Sequence, residues 1–274
     1  MIKRFHLPQV ISDGRLDLIL KIINQARFFA AGRDRIILNW GKTEEITPAG
    51  HAILAVLLDL FCEQKNDVEN EEIDPSLRLF PSVENLCGID SVSAMRPPSA
   101  FALDLPDILV RAVSLGIDVL FCERMQEKFG SLLSDDQLYA CRLIINELMQ
   151  NSADHSGAER IYLYAGKYEA EFHFGVLDMG VGIPTRLEQK YVEADDLQYL
   201  ELAMRKGSTT RRKRVGGLGL NYFMEYLRDL SGKLTIISRD AQVRRYFNTR
   251  KSQKNLLKYS LPGTWCFARL ELKI

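Results

Sequence analysis

The chain has 274 residues, with 36 Lys plus Arg against 36 Asp plus Glu, so its formal net charge is zero. With 46% hydrophobic residues, it is neither a uniformly basic nucleic-acid binder nor an acidic disordered chain. The length fits one large or two ordinary domains, each able to bury a core.

Residues 14–30 carry apolar positions at helical spacing (Leu16, Ile19, Leu20, Ile23). RIILNW (35–40) reads as a short buried strand. ITPAGHAILAVLLDLFCEQ follows, with Thr47 placed to cap a helix and Pro48 suited to its first turn. KNDVENEEIDPS reads as an acidic loop and LRLF (77–80) as a strand. The proline-bearing stretch 90–105 is the expected domain boundary, dividing the chain into residues 1–105 and 106–274. Residues 106–130 read as one long amphipathic helix. A second helix opens at Ser134 and ends near Asp154.

RIYLYAG (160–166) and AEFHFGVLD (170–178) alternate as neighbouring antiparallel strands. DLQYLELAMRKG is helical, and a glycine-rich turn, VGGLGL (215–220), leads into another helix. KLTIISRD and TWCFARLEL are strands, with a basic loop or hairpin between them.

No apolar run approaches the ~18 residues that span a bilayer, and the N-terminus carries no apolar signal core. A cytoplasmic protein without membrane contact is expected. The five cysteines show no CxxC spacing and the four histidines no HxxxH pair. Reduced thiols in the core are expected rather than zinc or disulfides.

Three features carry chemistry. In INELMQNSADHS, Glu147 and Asn151 stand one turn apart on one helix face, with Asp154 and His155 a turn further on. A carboxylate beside an amide oxygen can serve as base and Mg²⁺ ligand, although such a pair also occurs on solvated helix faces. DMGVGIP places Asp178 at a strand end before Gly180, Gly182 and Ile183. A carboxylate there can accept from an exocyclic amine, while the glycines let backbone approach a flat ligand or simply make a tight turn. Gly216-Gly217-Leu218-Gly219-Leu220 opens a helix, where backbone N–H groups can face an anion or simply pack. It is neither a Walker loop nor a dinucleotide fingerprint.

In this order, the three resemble the Bergerat-type ATP-binding domain of the GHKL superfamily, which includes histidine kinases, anti-sigma-factor kinases and DNA gyrase. INELMQNSADHS is similar to its N box, DMGVGIP and GGLGL to its two glycine boxes, and Gly263-Thr264 to its final element. The resemblance covers about residues 130–274. It implies an α/β sandwich whose mixed, largely antiparallel sheet carries helices on one face. The implied ligands are ATP and Mg²⁺. Glu147 would be the catalytic base and Asn151 the metal ligand. Asp178 would bind the adenine amine, with Gly180, Gly182, Ile183 and Thr264 shaping that pocket. Gly216, Gly217, Leu218, Gly219 and Leu220 would wrap the phosphates, with Asp154 and His155 near sugar and phosphates. Val215 stands where the family often has glycine. The segment between the glycine boxes would be a lid, and residues 205–214 carry six basic groups and no acidic one.

More loosely, RIILNW and the helix after it resemble the STAS domain of anti-sigma-factor antagonists, which implies a smaller α/β regulatory domain. Thr47 is the nearest equivalent of that family's phosphorylated residue, although a helix cap suits it better. The favoured expectation is a regulatory protein that hydrolyses Mg-ATP or passes its γ-phosphoryl to a protein Ser/Thr, with a regulatory protein partner. The alternatives are a non-catalytic ATP-gated binding module and a histidine-kinase-like core lacking its phosphoacceptor domain. A homodimer fits the family. Nucleic acid is not the expected partner.

Overall fold

The computed structural model describes residues 2–26, 34–64, 66–77, 102–114, 118–205 and 219–272. The first part holds β1 (Ile2–His6), β2 (Val10–Ile11), α1 (Asp17–Ala26), β3 (Arg35–Asn39), β4 (Glu45–Ile46), α2 (Pro48–Glu63) and β5 (Asp67–Glu71). β1, β3 and β5 form a parallel sheet with β3 in the middle, and β2 pairs in parallel with β4. Then come β6 (Ala102–Leu105), β7 (Ile108–Ser114), α3 (Val119–Phe129), α4 (Asp135–His155), β8 (Arg160–Tyr168) and β9 (Glu171–Asp178). The chain closes with α5 (Ile183–Leu187), α6 (Asp196–Ala203), α7 (Gly219–Asp229), β10 (Lys233–Tyr246) and β11 (Lys251–Glu271). Strands β6 to β11 make one antiparallel sheet in the order β10-β11-β9-β8-β7-β6.

This sheet is the middle layer of an α/β sandwich, and strand alternation explains why. Phe172, Phe174 and Val176 of β9 and Cys266, Ala268 and Leu270 of β11 face α3, α4 and α7, with Phe121, Ile144 and Phe223. Trp265 and Phe267 of β11 and Tyr162 and Tyr164 of β8 face the other way, into a core shared with Ile23, Ile53 and Leu57 of α1 and α2. α2 is buried on nearly every side, so its apolar residues run right around it instead of forming one stripe. Thr47 caps it: its side chain accepts the Gly50 N–H at 3.1 Å and donates to Ile11 O at 3.3 Å. Polar ties join the first part to the sheet. Asp59 of α2 takes both Arg160 and Tyr162, and Asp13 takes Arg269.

Several expectations change. The single helix over 106–130 is instead the strand β7 followed by the shorter helix α3. Ile108, Val110 and Ala112 enter one core and Leu109 the other, so burial on both faces hides the alternation that would mark a strand. The acidic loop is in part a strand. In β5, Val68 is buried beside β3 while Glu69 and Glu71 pair with Arg35 and Arg4 across the sheet. Leu77 lies in a bend, whereas Arg78, Leu79 and Phe80 and most of the stretch 90–105 lie outside the described residues. The end of that stretch, Ala102–Leu105, is an edge strand of the large sheet.

The basic segment after residue 240 is a hairpin, with Ala241–Tyr246 paired to Lys251–Leu256. β10 itself doubles back. The Phe247 N–H donates to Gly232 O at 3.0 Å, which requires a reversal between them. That reversal sits at Arg239, at φ +51°, where the register with β11 also shifts.

Cys122, Cys141 and Cys266 are buried free thiols, and Cys62 is an exposed one. Among the described residues no helix is long and apolar enough to cross a membrane.

Candidate functional site

α4 starts from a capping box. The Ser134 side chain accepts the Gln137 N–H at 3.2 Å, and the Gln137 side chain accepts the Ser134 N–H at 3.0 Å. Ile144, Ile145, Leu148 and Met149 then anchor the helix in the core. This placement leaves Glu147 buried, Asn151 half-buried one turn later, and Ser152 buried and turned toward the sheet. Asp154 is exposed and His155 half-buried. Burial, and then the Arg186 charge, hold the His155 imidazole below its usual pKa. The His155 carbonyl, at the negative end of the helix, accepts from Arg186 Nε at 2.5 Å.

Asp178 ends β9 and is only 4% exposed. Its Oδ2 accepts from Ser152 Oγ at 3.2 Å. Its Oδ1 accepts the Gly180 N–H at 2.9 Å and the Thr264 N–H at 3.2 Å. Burial outweighs these three donors and pushes the carboxyl up to about pKa 6. Its three donors among the described residues are all neutral.

The loop after Asp178 is pinned to the end of α4, because the Val181 N–H donates to Ser156 O at 2.8 Å. Gly182 at φ +82° makes the turn into α5. Gly263 at φ +104° lies so close that a Cβ there would stand 2.0 Å from Asp178 O. Both positions therefore require glycine.

Asp178, Thr264 and Ser238 are direct partners across β9, β11 and β10, so their side chains share the face that α4 covers. Ser238 is fully buried. Its hydroxyl accepts the Ile183 N–H at 2.8 Å and donates to Gly263 O at 3.0 Å, and it lies 3.0 Å from Thr264 Oγ1. The next residue, Arg239, pairs with Glu188 at 2.5 Å and with Asp196 at 3.1 Å, tying the turn to α5 and to the start of α6.

The structure thus brings Asp178, Gly180, Gly182, Ile183 and Thr264 together against the second half of α4. Gly219 and Leu220 begin α7, and Leu220 packs against the same core as Ile183. Gly216, Gly217 and Leu218 lie outside the described residues, as does most of the basic segment 205–214. Ser152, Ser156, Arg186 and Ser238 were not singled out from sequence. For Ser238 a signal existed: it follows Leu234 and Ile236 on the same strand face, as the polar end of an apolar row.

The donors suit the ligands expected. A buried acceptor ringed by neutral donors fits an amine-bearing base. For a cation, the described residues hold no cluster of three or more His, Cys, Asp or Glu. An ion beside Asn151 would complete its shell with phosphate and water.

No family model matches the sequence, and no curated protein matches it. Among solved structures it is similar to the ATP-binding domain of topoisomerase IV from Francisella tularensis, in complex with a small-molecule inhibitor. Identity is 17% over 60% of this chain and 42% of that one, with a TM-score of 0.28. The chain therefore spans less than half of that structure's length. So distant a likeness carries no weight for activity, and the site rests on its own geometry.

Proposed function

We propose that this protein binds an adenine nucleotide with a divalent cation, and hydrolyses it or passes its terminal phosphoryl group to a protein hydroxyl. One observation carries the reading. Three segments far apart in sequence, 147–155, 178–183 and 263–264, converge on the buried carboxylate of Asp178. When bound, ATP supplies a phosphoanhydride whose terminal phosphorus can be attacked. Asp178 accepts a hydrogen bond from the exocyclic amine of the base. Asn151 offers its amide oxygen to the cation. The backbone N–H groups at the start of α7, from Gly219 and Leu220, hold phosphate oxygens at the positive end of that helix. Glu147, one turn before Asn151, takes the proton of the attacking water or hydroxyl. The first part of the chain serves as the regulatory half.

Calorimetry with ATP and Mg²⁺ tests this directly. Binding in the wild type, and its loss by at least about a hundredfold in Asp178→Asn, are expected. Unchanged affinity in that variant would sink the reading. Glu147→Ala keeps ATP and loses phosphate release. A wild type that binds ATP without turnover or phosphotransfer would make this a binding module instead.

A further inference from the structure

The Ser238 hydroxyl carries one proton and two acceptor sites. Three groups surround it at hydrogen-bond distance. The Ile183 N–H, at 2.8 Å, can only donate. Gly263 O, at 3.0 Å, can only accept, so it takes the Ser238 proton. The third contact, Thr264 Oγ1 at 3.0 Å, has an undecided direction when considered alone. With the proton already committed, only one arrangement makes all three contacts hydrogen bonds: Thr264 donates to Ser238. The alternative leaves the contact to buried Gly263 O unmade, and an unsatisfied buried carbonyl is costly.

This fixes what Thr264 offers its other neighbours. Its proton is spent on Ser238, so its oxygen keeps only lone pairs. Thr264 is half-buried and lies beside Asp178 on the same face of the sheet. Two acceptors then stand side by side, and neither has a proton to give while Asp178 is ionised.

We infer that Ser238 is a positioning residue that sets base selectivity, by holding the Thr264 hydroxyl as an acceptor and so favouring a 6-amino purine over a 6-oxo purine. The inference rests on the nucleotide reading above and deepens it. An amino group has two N–H bonds, one for Asp178 and one for Thr264. An oxo group would set its lone pairs against both. Such a mismatch in a buried polar site discriminates more strongly than shape alone. Ser238 itself touches no ligand in this account. It acts through Thr264, and through Ile183 and Gly263 it also holds the two turns that flank Asp178.

The test compares ATP with inosine triphosphate, which keeps the shape and replaces the amine by an oxo group. Affinities are measured by calorimetry on the full chain, for wild type, Ser238→Ala and Ser238→Thr. Wild type is expected to prefer ATP. In Ser238→Ala the freed Thr264 proton can turn toward an oxo group, so the ATP-to-inosine ratio should narrow by about tenfold, equivalent to about 1.4 kcal/mol. Ser238→Thr keeps a hydroxyl and should restore the ratio. A Ser238→Ala variant that loses both ligands by the same factor overturns the inference, since that is how a merely structural role would behave.

Melting of each variant without nucleotide reports folding separately. If Ser238→Ala does not fold, Thr264→Val replaces it. That variant should weaken ATP and spare inosine triphosphate, and an unchanged ratio would equally overturn the inference. Failure of wild type to bind either nucleotide would refute the nucleotide reading, and this inference with it. Binding without a change of ratio refutes the inference alone.

Discussion

The two ends of β9 treat a carboxylate in opposite ways. At its start, Glu171 meets His173 at 3.2 Å, Lys233, and Arg269 at 3.4 Å. The His173 hydrogen bond, and then Lys233, bring its pKa down to about 2. Burial holds the imidazole itself below its usual value, and its Nε2–H donates to the carboxylate, which can only accept. Arg269 continues the network to Asp13 in the first part of the chain. At the other end, Asp178 receives only neutral donors, and burial takes it up to about 6. One end is charge-matched and fastens the two parts of the chain together. The other keeps a costly charge with no cation beside it among the described residues, an arrangement that stability alone does not favour and that a ligand can exploit.

The largest effect expected comes from breaking the charge-matched end. Arg269→Ala leaves Asp13 and Glu171 each short of a cation, and should cost about 3 kcal/mol, read as a lower denaturation midpoint. A change near zero would show that the network is not what fastens the parts.

Asp178→Asn should do the reverse to stability. The amide oxygen can keep the Gly180 and Thr264 N–H groups, while the buried charge disappears. At pH 8 the variant should melt at or above the wild type, with a gain of about 1–2 kcal/mol. A clear loss would put the two ends on the same footing.

The pH dependence sharpens the contrast. Asp178 has a folded pKa raised from 3.8, so its contribution is fully present below about 4 and is lost as pH rises through about 6. Glu171 has a folded pKa lowered from 4.5, so its contribution is present above that value and is lost as pH falls toward about 2. Thermal melts between pH 3 and 8 should show the Asp178 component vanishing in Asp178→Asn and the acid-side component vanishing in Glu171→Gln. ATP affinity should fall as pH drops below about 6, because a protonated Asp178 no longer offers the amine a full acceptor.

The smallest effect belongs to the scaffold. Ser134→Ala removes half of the capping box and should cost about 1 kcal/mol, with nucleotide affinity unchanged. A changed affinity would mean that the start of α4 is coupled to the site at its far end.

Much of this was legible in the sequence because it depends on neighbours along the chain. Thr47 and Ser134 announce their helices through capping chemistry, which needs only three or four residues. Asp178 and the two glycines that follow mark a strand end. β7 is not legible because a strand buried on both faces looks like an amphipathic helix. β5 is not legible because its acidic side chains hide a single buried Val68, and the arginines that balance them come from β1 and β3.

The sequence by itself determined the antiparallel pair β8 and β9, the motif-bearing α4, and the residue types at the candidate site, since periodicity and local chemistry travel with the chain. Only the tertiary structure decided that Ser238, Thr264 and Asp178 stand in one row, because register between strands is set by packing on both faces of the sheet. It alone decided that α1 and α2 cover the sheet's second face. It also decided which carboxylate receives only neutral donors among the described residues. A pKa is set by what surrounds a group in space, and for Asp178 those neighbours come from residues 152, 180 and 264.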